Sequence, residues 1–165
     1  MKVAINGFGR IGRSVFRHLM SRAGGDLQVV AANDIAPLDN LAYLLRHDSA
    51  QADPQADIAV DGDTLRWDDR EIAYLNVADP AELPWQKLGV DYAIEASGQF
   101  THADQAAKHL EAGANRVVIT APAKGDVPTI CMGVNEEIYD PGQHRIVSNA
   151  SCTTNCLAPV AKVLD

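Results

Sequence analysis

Short apolar runs and longer helical patterns alternate along this chain. Val3 to Asn6 is a compact run broken by Gly7, the mark of a buried strand. Ile11, Val15, Leu19 and Met20 then recur at helical spacing, and the pattern stops near Ala23, Gly24 and Gly25. Leu27 to Ala32 reads as a second strand, and Leu38, Leu41, Ala42 and Leu45 form one apolar face of a second helix. The opening segment is thus a β-α-β unit. Asp53-Pro54 breaks the rhythm. Ile58 and Val60, the turn Asp61-Gly62-Asp63, then Leu65 and Trp67 predict a hairpin, and Glu71 to Val77 predicts a further strand. This stretch is expected as an insertion on one sheet edge, not a new domain. A loop from Ala78 to Trp85 leads back. Strands are predicted over Tyr92 to Glu95, Arg116 to Thr120, Thr129 to Gly133 and Arg145 to Ser148. A helix is predicted over His102 to Ala112, and another begins near Cys152. Strands alternating with helices predict an α/β fold with a doubly wound, mostly parallel sheet and a small hairpin insertion.

Bulk composition narrows the function classes. A chain of 165 residues can bury a real core in one domain. A net charge of −8 argues against a constitutive nucleic-acid or anionic-membrane surface. Three cysteines imply no disulfide framework and favour a reducing compartment. The first residues run straight into a strand without a signal-peptide pattern, and no apolar run reaches membrane-spanning length. Both point to the cytoplasm.

Two stretches carry candidate chemistry. Asn6 to Gly12 reads N-G-F-G-R-I-G, so Gly7, Gly9 and Gly12 match G-x-G-x-x-G between a strand and a helix. The helix N-terminus there offers free N–H groups and a positive dipole end to a pyrophosphate. Asp34 follows 22 residues after Gly12, at the end of the second strand, where a carboxylate holds the ribose hydroxyls of NAD. The competing reading is a glycine-rich turn in a non-binding Rossmann-type core. A carboxylate at Asp34 repels a 2′-phosphate, and Ile35-Ala36-Pro37 supplies no cation to offset it, so NAD is preferred to NADP.

The second stretch is S-N-A-S-C-T-T-N-C, Ser148 to Cys156. Cys152 stands at a predicted helix N-terminus, with Ser151 as N-cap and Thr153 and Thr154 as hydroxyls suited to an anion. Helix N-termini favour the nucleophilic thiolate and can hold an oxyanion. On residues alone, Cys152 is either such a nucleophile or an inert buried thiol. Zinc lacks further soft ligands at suitable spacing, so no metal is expected. A disulfide to Cys156 across one turn would be strained. Cys156 is expected to pack beneath the site, with a redox partner of Cys152 as the alternative, Cys131 to lie in a core strand, and Pro159 to kink the helix or open its ladder locally.

Together these stretches resemble phosphorylating glyceraldehyde-3-phosphate dehydrogenase. The carrying residues are N-G-F-G-R-I-G-R, N-D (Asn33-Asp34), L-L-R-H-D-S (Leu44 to Ser49) and D-P-A-E-L-P-W (Asp79 to Trp85). They continue with E-A-S-G-Q-F (Glu95 to Phe100), A-P-A-K-G-D (Ala121 to Asp126), G-V-N (Gly133 to Asn135) and S-N-A-S-C-T-T-N-C-L-A-P (Ser148 to Pro159). They fall in family order along the whole chain. Departures are Ala78 for a common arginine, His47 for a tyrosine, Ser97 for a threonine, and a missing glycine after Ser49.

The resemblance implies that Arg10 and Ile11 touch the NAD pyrophosphate through their backbone, and that Asp34 holds the adenosine ribose. Ser97, Gly98 and Thr120 would lie toward the nicotinamide. Cys152 would be the nucleophile, with Ser151 and Thr153 holding glyceraldehyde 3-phosphate and inorganic phosphate. Residues 1–150 would form the NAD-binding Rossmann domain, and 151–165 the start of a catalytic domain. The family's base is a histidine in that domain, and His18, His47, His102, His109 and His144 match no position of its motif. These five are expected at the surface or in packing roles. Family members are about twice as long, so the chain is expected to be an N-terminal half, inactive alone. The full protein would be a homotetramer. The family's final helix would be missing, which predicts an exposed apolar patch. Erythrose-4-phosphate dehydrogenase is the alternative within the resemblance, and a stand-alone NAD-binding module is the alternative outside it.

Overall fold

The strand β1 (Lys2–Asn6) lies mid-sheet, because Val3, Ala4 and Ile5 are all buried and both faces need cover. The computed structural model describes residues 1–22, 26–49 and 51–164. The predicted helix stop at Ala23, Gly24 and Gly25 lies outside these residues, as do Ala50 and Asp165. Beyond β1 come α1 (Arg10–Ser21), β2 (Gln28–Asn33) and α2 (Leu38–Arg46), then β3 (Ile58–Asp61), β4 (Thr64–Trp67) and β5 (Arg70–Leu75). The remainder is α3 (Trp85–Leu88), β6 (Tyr92–Glu95), α4 (Ala103–Glu111), β7 (Arg116–Ile119), β8 (Ile146–Ser148) and α5 (Cys152–Leu164).

The eight strands of the described residues form one sheet in the order β3-β4-β5-β2-β1-β6-β7-β8. Across β5-β2-β1-β6-β7-β8 every pairing is parallel, and at the other edge β4 alone is reversed, pairing antiparallel with both β3 and β5. This is a Rossmann-type α/β fold. Strand order reverses between β1 and β6, and in such sheets a ligand crevice opens at the carboxyl ends of the strands flanking that switch. The hairpin is an edge insertion as expected. The strand after it, β5, turns back into the parallel set beside β2.

Register aligns the strand ends in a row. Leu75, Asn33, Asn6, Glu95, Ile119 and Ser148 are successive partners across the sheet. The sheet is covered on one side by a cluster in which Phe8, Phe16 and Trp67 meet edge to face, at 5.1 and 5.6 Å between centroids. Trp85, Leu83 and Val90 anchor a second cluster around Ala4 and Ala93.

Several sequence expectations need correction. Ile11 is half exposed, so it is not part of the buried face of α1; Phe16 and Met20 carry that face with Arg13 and Arg17. The two arginines can be buried because backbone carbonyls receive their guanidinium groups: Arg13 donates to Phe8 and Arg17 to Ala52. Thr129 to Gly133 is not a strand. Only Thr129 bridges to Ser148, after which the chain turns through residues 132–134, with Asn135 Oδ1 accepting from the Cys131 N–H. Cys131 is buried as expected but in that loop. The loop after Ala78 is tighter than predicted: a 3-10 turn at Pro80–Glu82, capped by the Asp79 carboxylate, precedes α3. Pro159 lies inside α5, where the helical pattern placed it. Cys156 is exposed rather than packed, because no residue of α5 is buried among the described residues. Leu157, Val160, Val163 and Leu164 form its exposed apolar side. No helix among the described residues is long and apolar enough to cross a membrane.

Candidate functional site

A cleft of about 440 Å³ opens where the strand order reverses, lined among others by Gly7, Gly9, Asp34, Ala78, Ser97 and Phe100. Each lining segment immediately follows a strand end of the aligned row: Gly7 follows Asn6, Asp34 follows Asn33, and Ser97 lies two past Glu95. The three glycines sit differently. Gly7 has φ +90°, and a side-chain carbon there would lie 2.3 Å from the Ser97 nitrogen. At Gly12 such a carbon would lie 1.9 Å from the Gly7 carbonyl oxygen, so helix and turn touch backbone to backbone. At Gly9 it would meet nothing within 4 Å. Gly9 is the N-cap of α1 and has no capping side chain; Arg10 and Ile11 follow it, both exposed. The helix start therefore faces open space with its first-turn N–H groups available to an anion.

Asp34 bridges the two lobes of this cleft. Its Oδ2 accepts from the Phe8 N–H at 2.6 Å and its Oδ1 from the Ala36 N–H at 3.0 Å. The carboxylate is thus fixed at the ends of β1 and β2. These observations fit an NAD site: an uncapped helix start, an unfilled approach at Gly9 and a braced carboxylate. Gly98 follows Ser97 with φ +75°. Thr120, one strand over, donates through Oγ1 to the Glu95 carbonyl at 3.2 Å, and the cleft lining does not extend to it.

Under the cleft lies a polar network that motif reading passes over. Glu95 is 1% exposed. One carboxylate oxygen accepts from Asn6 Nδ2 at 2.6 Å and lies 2.9 Å from His109 Nε2. The other accepts from the Ser97 N–H at 2.8 Å and from the Ser97 hydroxyl. Trp85 Nε1–H donates to His109 Nδ1 at 3.0 Å, and an indole can only donate. The His109 proton therefore sits on Nε2, and the contact to Glu95 is a hydrogen bond from a neutral imidazole. Asn33 joins through Asn6 Oδ1 and ties down Val77 with both ends of its amide. A glutamate closing the apolar strand D-Y-A-I-E was the available signal: a buried carboxylate must find donors.

The second group of candidate residues stands beyond β8. Ala150 is buried with φ +61°, an uncommon conformation for a residue with a side chain, and it turns the chain sharply into α5. Ser151 caps the helix: its Oγ accepts from the Thr154 N–H at 2.9 Å. Cys152 is the first helical residue and is exposed, with Thr153 exposed beside it. Asn155, not singled out from sequence, donates to the Asn149 and Ser151 carbonyls at 2.8 and 2.9 Å and braces the turn. Lys162 fastens the far end of the helix to the Gly133 and Val134 carbonyls, each at 2.9 Å. Both histidines outside the exposed set have partners elsewhere: His109 in the Glu95 network and His144 accepting from the Asp140 N–H. Among the described residues no group of three or more His, Cys, Asp or Glu side chains is placed to hold a metal ion.

Comparison with known proteins matches residues 1–103 to the family model described as "Glyceraldehyde 3-phosphate dehydrogenase, NAD binding domain". Curated relatives align over essentially the whole chain. Glyceraldehyde-3-phosphate dehydrogenase of Geobacillus stearothermophilus is 51% identical over 164 residues, 99% of this chain and 48% of that protein. The Streptomyces coelicolor protein of that name is 48% identical over 165 residues, covering 49% of its length. That of Chlamydia pneumoniae is 49% identical over 164 residues. The chain spans about half the length of the curated relatives it matches.

Proposed function

The chain belongs to the glyceraldehyde-3-phosphate dehydrogenase family and carries its NAD-binding domain, and we propose that it works as the N-terminal part of an enzyme that oxidises and phosphorylates glyceraldehyde 3-phosphate. The observation that carries this reading is the common row of strand ends. It feeds the Gly7–Asp34–Ser97 cleft on one side and the exposed thiol at the head of α5 on the other. Gly7, Gly9 and Gly12, with the Arg10 and Ile11 backbone, hold the pyrophosphate, and Asp34 holds the adenosine ribose. Ser97, Gly98 and Thr120 line the way toward the nicotinamide. NAD, when bound, supplies the hydride acceptor.

Cys152 does the covalent work. Its thiolate adds to the aldehyde carbon to give a thiohemiacetal, whose oxidation by loss of hydride leaves a thioester. Inorganic phosphate attacks that carbonyl, the sulfur leaves as thiolate, and the acyl phosphate 1,3-bisphosphoglycerate departs. Ser151 and Thr153 hold substrate and phosphate beside the sulfur. Residues 1–150 serve as the cofactor domain and 151–165 open the catalytic one, whose base is a histidine outside these residues. The whole protein acts in the cytoplasm as a homotetramer.

The test is NADH formation by the whole protein on addition of glyceraldehyde 3-phosphate with NAD and phosphate, and its loss in Cys152→Ser. No NADH from the wild type refutes the proposal, and faster turnover of erythrose 4-phosphate moves it to the related dehydrogenase. A second reading, an NAD-binding module without turnover, describes the 165-residue chain taken alone. It is favoured by the cleft at Gly7, Asp34 and Ser97, which residues of this chain line. Saturating NAD would then stabilise the chain by mass action, by about 2.7 kcal/mol at a hundredfold excess over the dissociation constant.

A further inference from the structure

The turn that carries Asp34 is held from beneath by a side chain that no motif marks. Tyr74 of β5 is buried and sits in register with Ala32 of β2, two residues before Asp34. Its hydroxyl reaches two backbone carbonyls of the turn, that of Asp34 at 3.0 Å and that of Ala36. Asn76, two residues along the same segment, donates through Nδ2 to the Asp34 carbonyl at 3.0 Å. The acidic side chain is tied in the same small space to the Phe8 and Ala36 N–H groups. Residues 34–36 therefore wrap around one phenol oxygen, with the carboxylate of Asp34 facing the cleft side of the wrap. From the solvent side the turn has little to hold it: Ile35, at its apex, is 74% exposed.

We propose that Tyr74 is a positioning residue that fixes the Asp34 carboxylate for a ribose 2′,3′-diol and so sets the preference for NAD over a 2′-phosphorylated dinucleotide. The proposal rests on the reading of the cleft as the NAD site. A carboxylate discriminates between the two ligands only while its place is fixed. Held against the Phe8 N–H, it accepts from the ribose hydroxyls and repels a phosphate at the same point. A turn free to swing loses the hydrogen bonds to NAD and relieves the repulsion of the phosphate. The Tyr74 phenol reaches both carbonyls of the turn while Asn76 reaches only that of Asp34, so the larger share of that fixation falls to Tyr74. Burial, and then the charge of Asp34, push the phenol up to about 12, so it remains a donor throughout the range in which the cofactor binds.

Tyr74→Phe removes the hydroxyl and keeps the ring in its cluster. In this variant the dissociation constant for NAD should rise about five- to tenfold, the loss of about one well-placed hydrogen bond. That for NADP should change less than about twofold, so the ratio of the two falls by nearly the same factor. Hydrogen exchange at the Phe8 and Ala36 amides of the ligand-free chain should accelerate, because their acceptors are the two Asp34 oxygens. Asn76→Ala, at an exposed position, should shift the ratio in the same direction by less. An unchanged ratio in Tyr74→Phe overturns the proposal, even if the melting temperature falls, since that outcome leaves Tyr74 a structural residue only. Unchanged exchange at Phe8 and Ala36 overturns it as well. A wild-type chain that binds neither dinucleotide sinks the cleft reading and this proposal together; binding with an unchanged ratio sinks this one alone.

Discussion

Replacing each glycine of the N-G-F-G-R-I-G turn by alanine should produce three different proteins. At Gly12 the added carbon would start 1.9 Å from the Gly7 carbonyl oxygen and 3.3 Å from Ile5 Cγ2. Reaching ordinary contact requires about 1.5 Å of movement, and the atom in the way is backbone, which cannot rotate aside. Overpacking of this kind costs about 3 kcal/mol, offset by about 1 kcal/mol because alanine is the better helix former. The net loss of about 2 kcal/mol corresponds to about 4–8 °C in melting temperature for a domain of this size. Gly7→Ala should be worse, since φ +90° adds about 1–2 kcal/mol to a carbon placed 2.3 Å from the Ser97 nitrogen.

Gly9→Ala is the informative contrast. Gly9 has φ −69° and its added carbon meets no protein atom, so folding tolerates it and the unfolded chain loses some freedom. Its melting temperature should stay level or rise slightly. The methyl projects instead into the space where the pyrophosphate would approach, and NAD affinity should drop at least about tenfold, the equivalent of 1.4 kcal/mol. Thermal melts of the ligand-free variants and NAD titrations by calorimetry separate the two quantities. Equal destabilisation of Gly9→Ala and Gly12→Ala would refute the packing argument. Wild-type NAD affinity in Gly9→Ala would refute the placement of the pyrophosphate.

Glu95→Gln places an amide donor against donors from Asn6, His109 and Ser97, and should cost about 1–3 kcal/mol in urea unfolding. It should also weaken NAD binding through the loosened Ser97. Brief iodoacetamide treatment followed by mass spectrometry should label Cys152 and Cys156 and spare Cys131, which is buried; Cys152 should react fastest, and full labelling of Cys131 in the folded chain would contradict its burial. Tyr74 gives a pH signature. Its folded value is raised from 10.0 to about 12, so its contribution is complete below pH 10 and is lost as pH climbs through that interval. Phenolate absorbance should show a late-titrating component that disappears in Tyr74→Phe.

The parallel core was legible because its strands are short apolar runs and its first two helices start directly after Gly9 and Pro37. The errors share a cause. Ile11 and Thr129 to Gly133 have the right local composition, but one lies half exposed in the first turn of α1 and the other is diverted by Asn135 side-chain bonds. Arg13 and Arg17 are buried because backbone carbonyls receive them, that of Phe8 in the turn just before α1 and that of Ala52 in the loop after α2. Cys156 was expected beneath a site, and Leu157, Val160, Val163 and Leu164 carried a helical apolar pattern. All five are exposed along α5, so periodicity identified the helix without identifying a partner for its face.

What the linear pattern lacked was register. Gly7, Asp34, Ser97, Thr120 and Cys152 each follow a strand, and each is separately ambiguous. The ladder aligns Asn6, Asn33, Glu95, Ile119 and Ser148 in one row, so the residues just beyond them emerge along one edge of the sheet. A shift of one residue in β2 would move Asp34 away from the Phe8 N–H and turn Asn33 off Asn6. The buried Asn33–Asn6–Glu95 chain resists that shift, since slipping any member strands a polar group without its partner. The polar row beneath the cleft is thus the part of the fold that assembles the site, and it is written in residues that carry no motif.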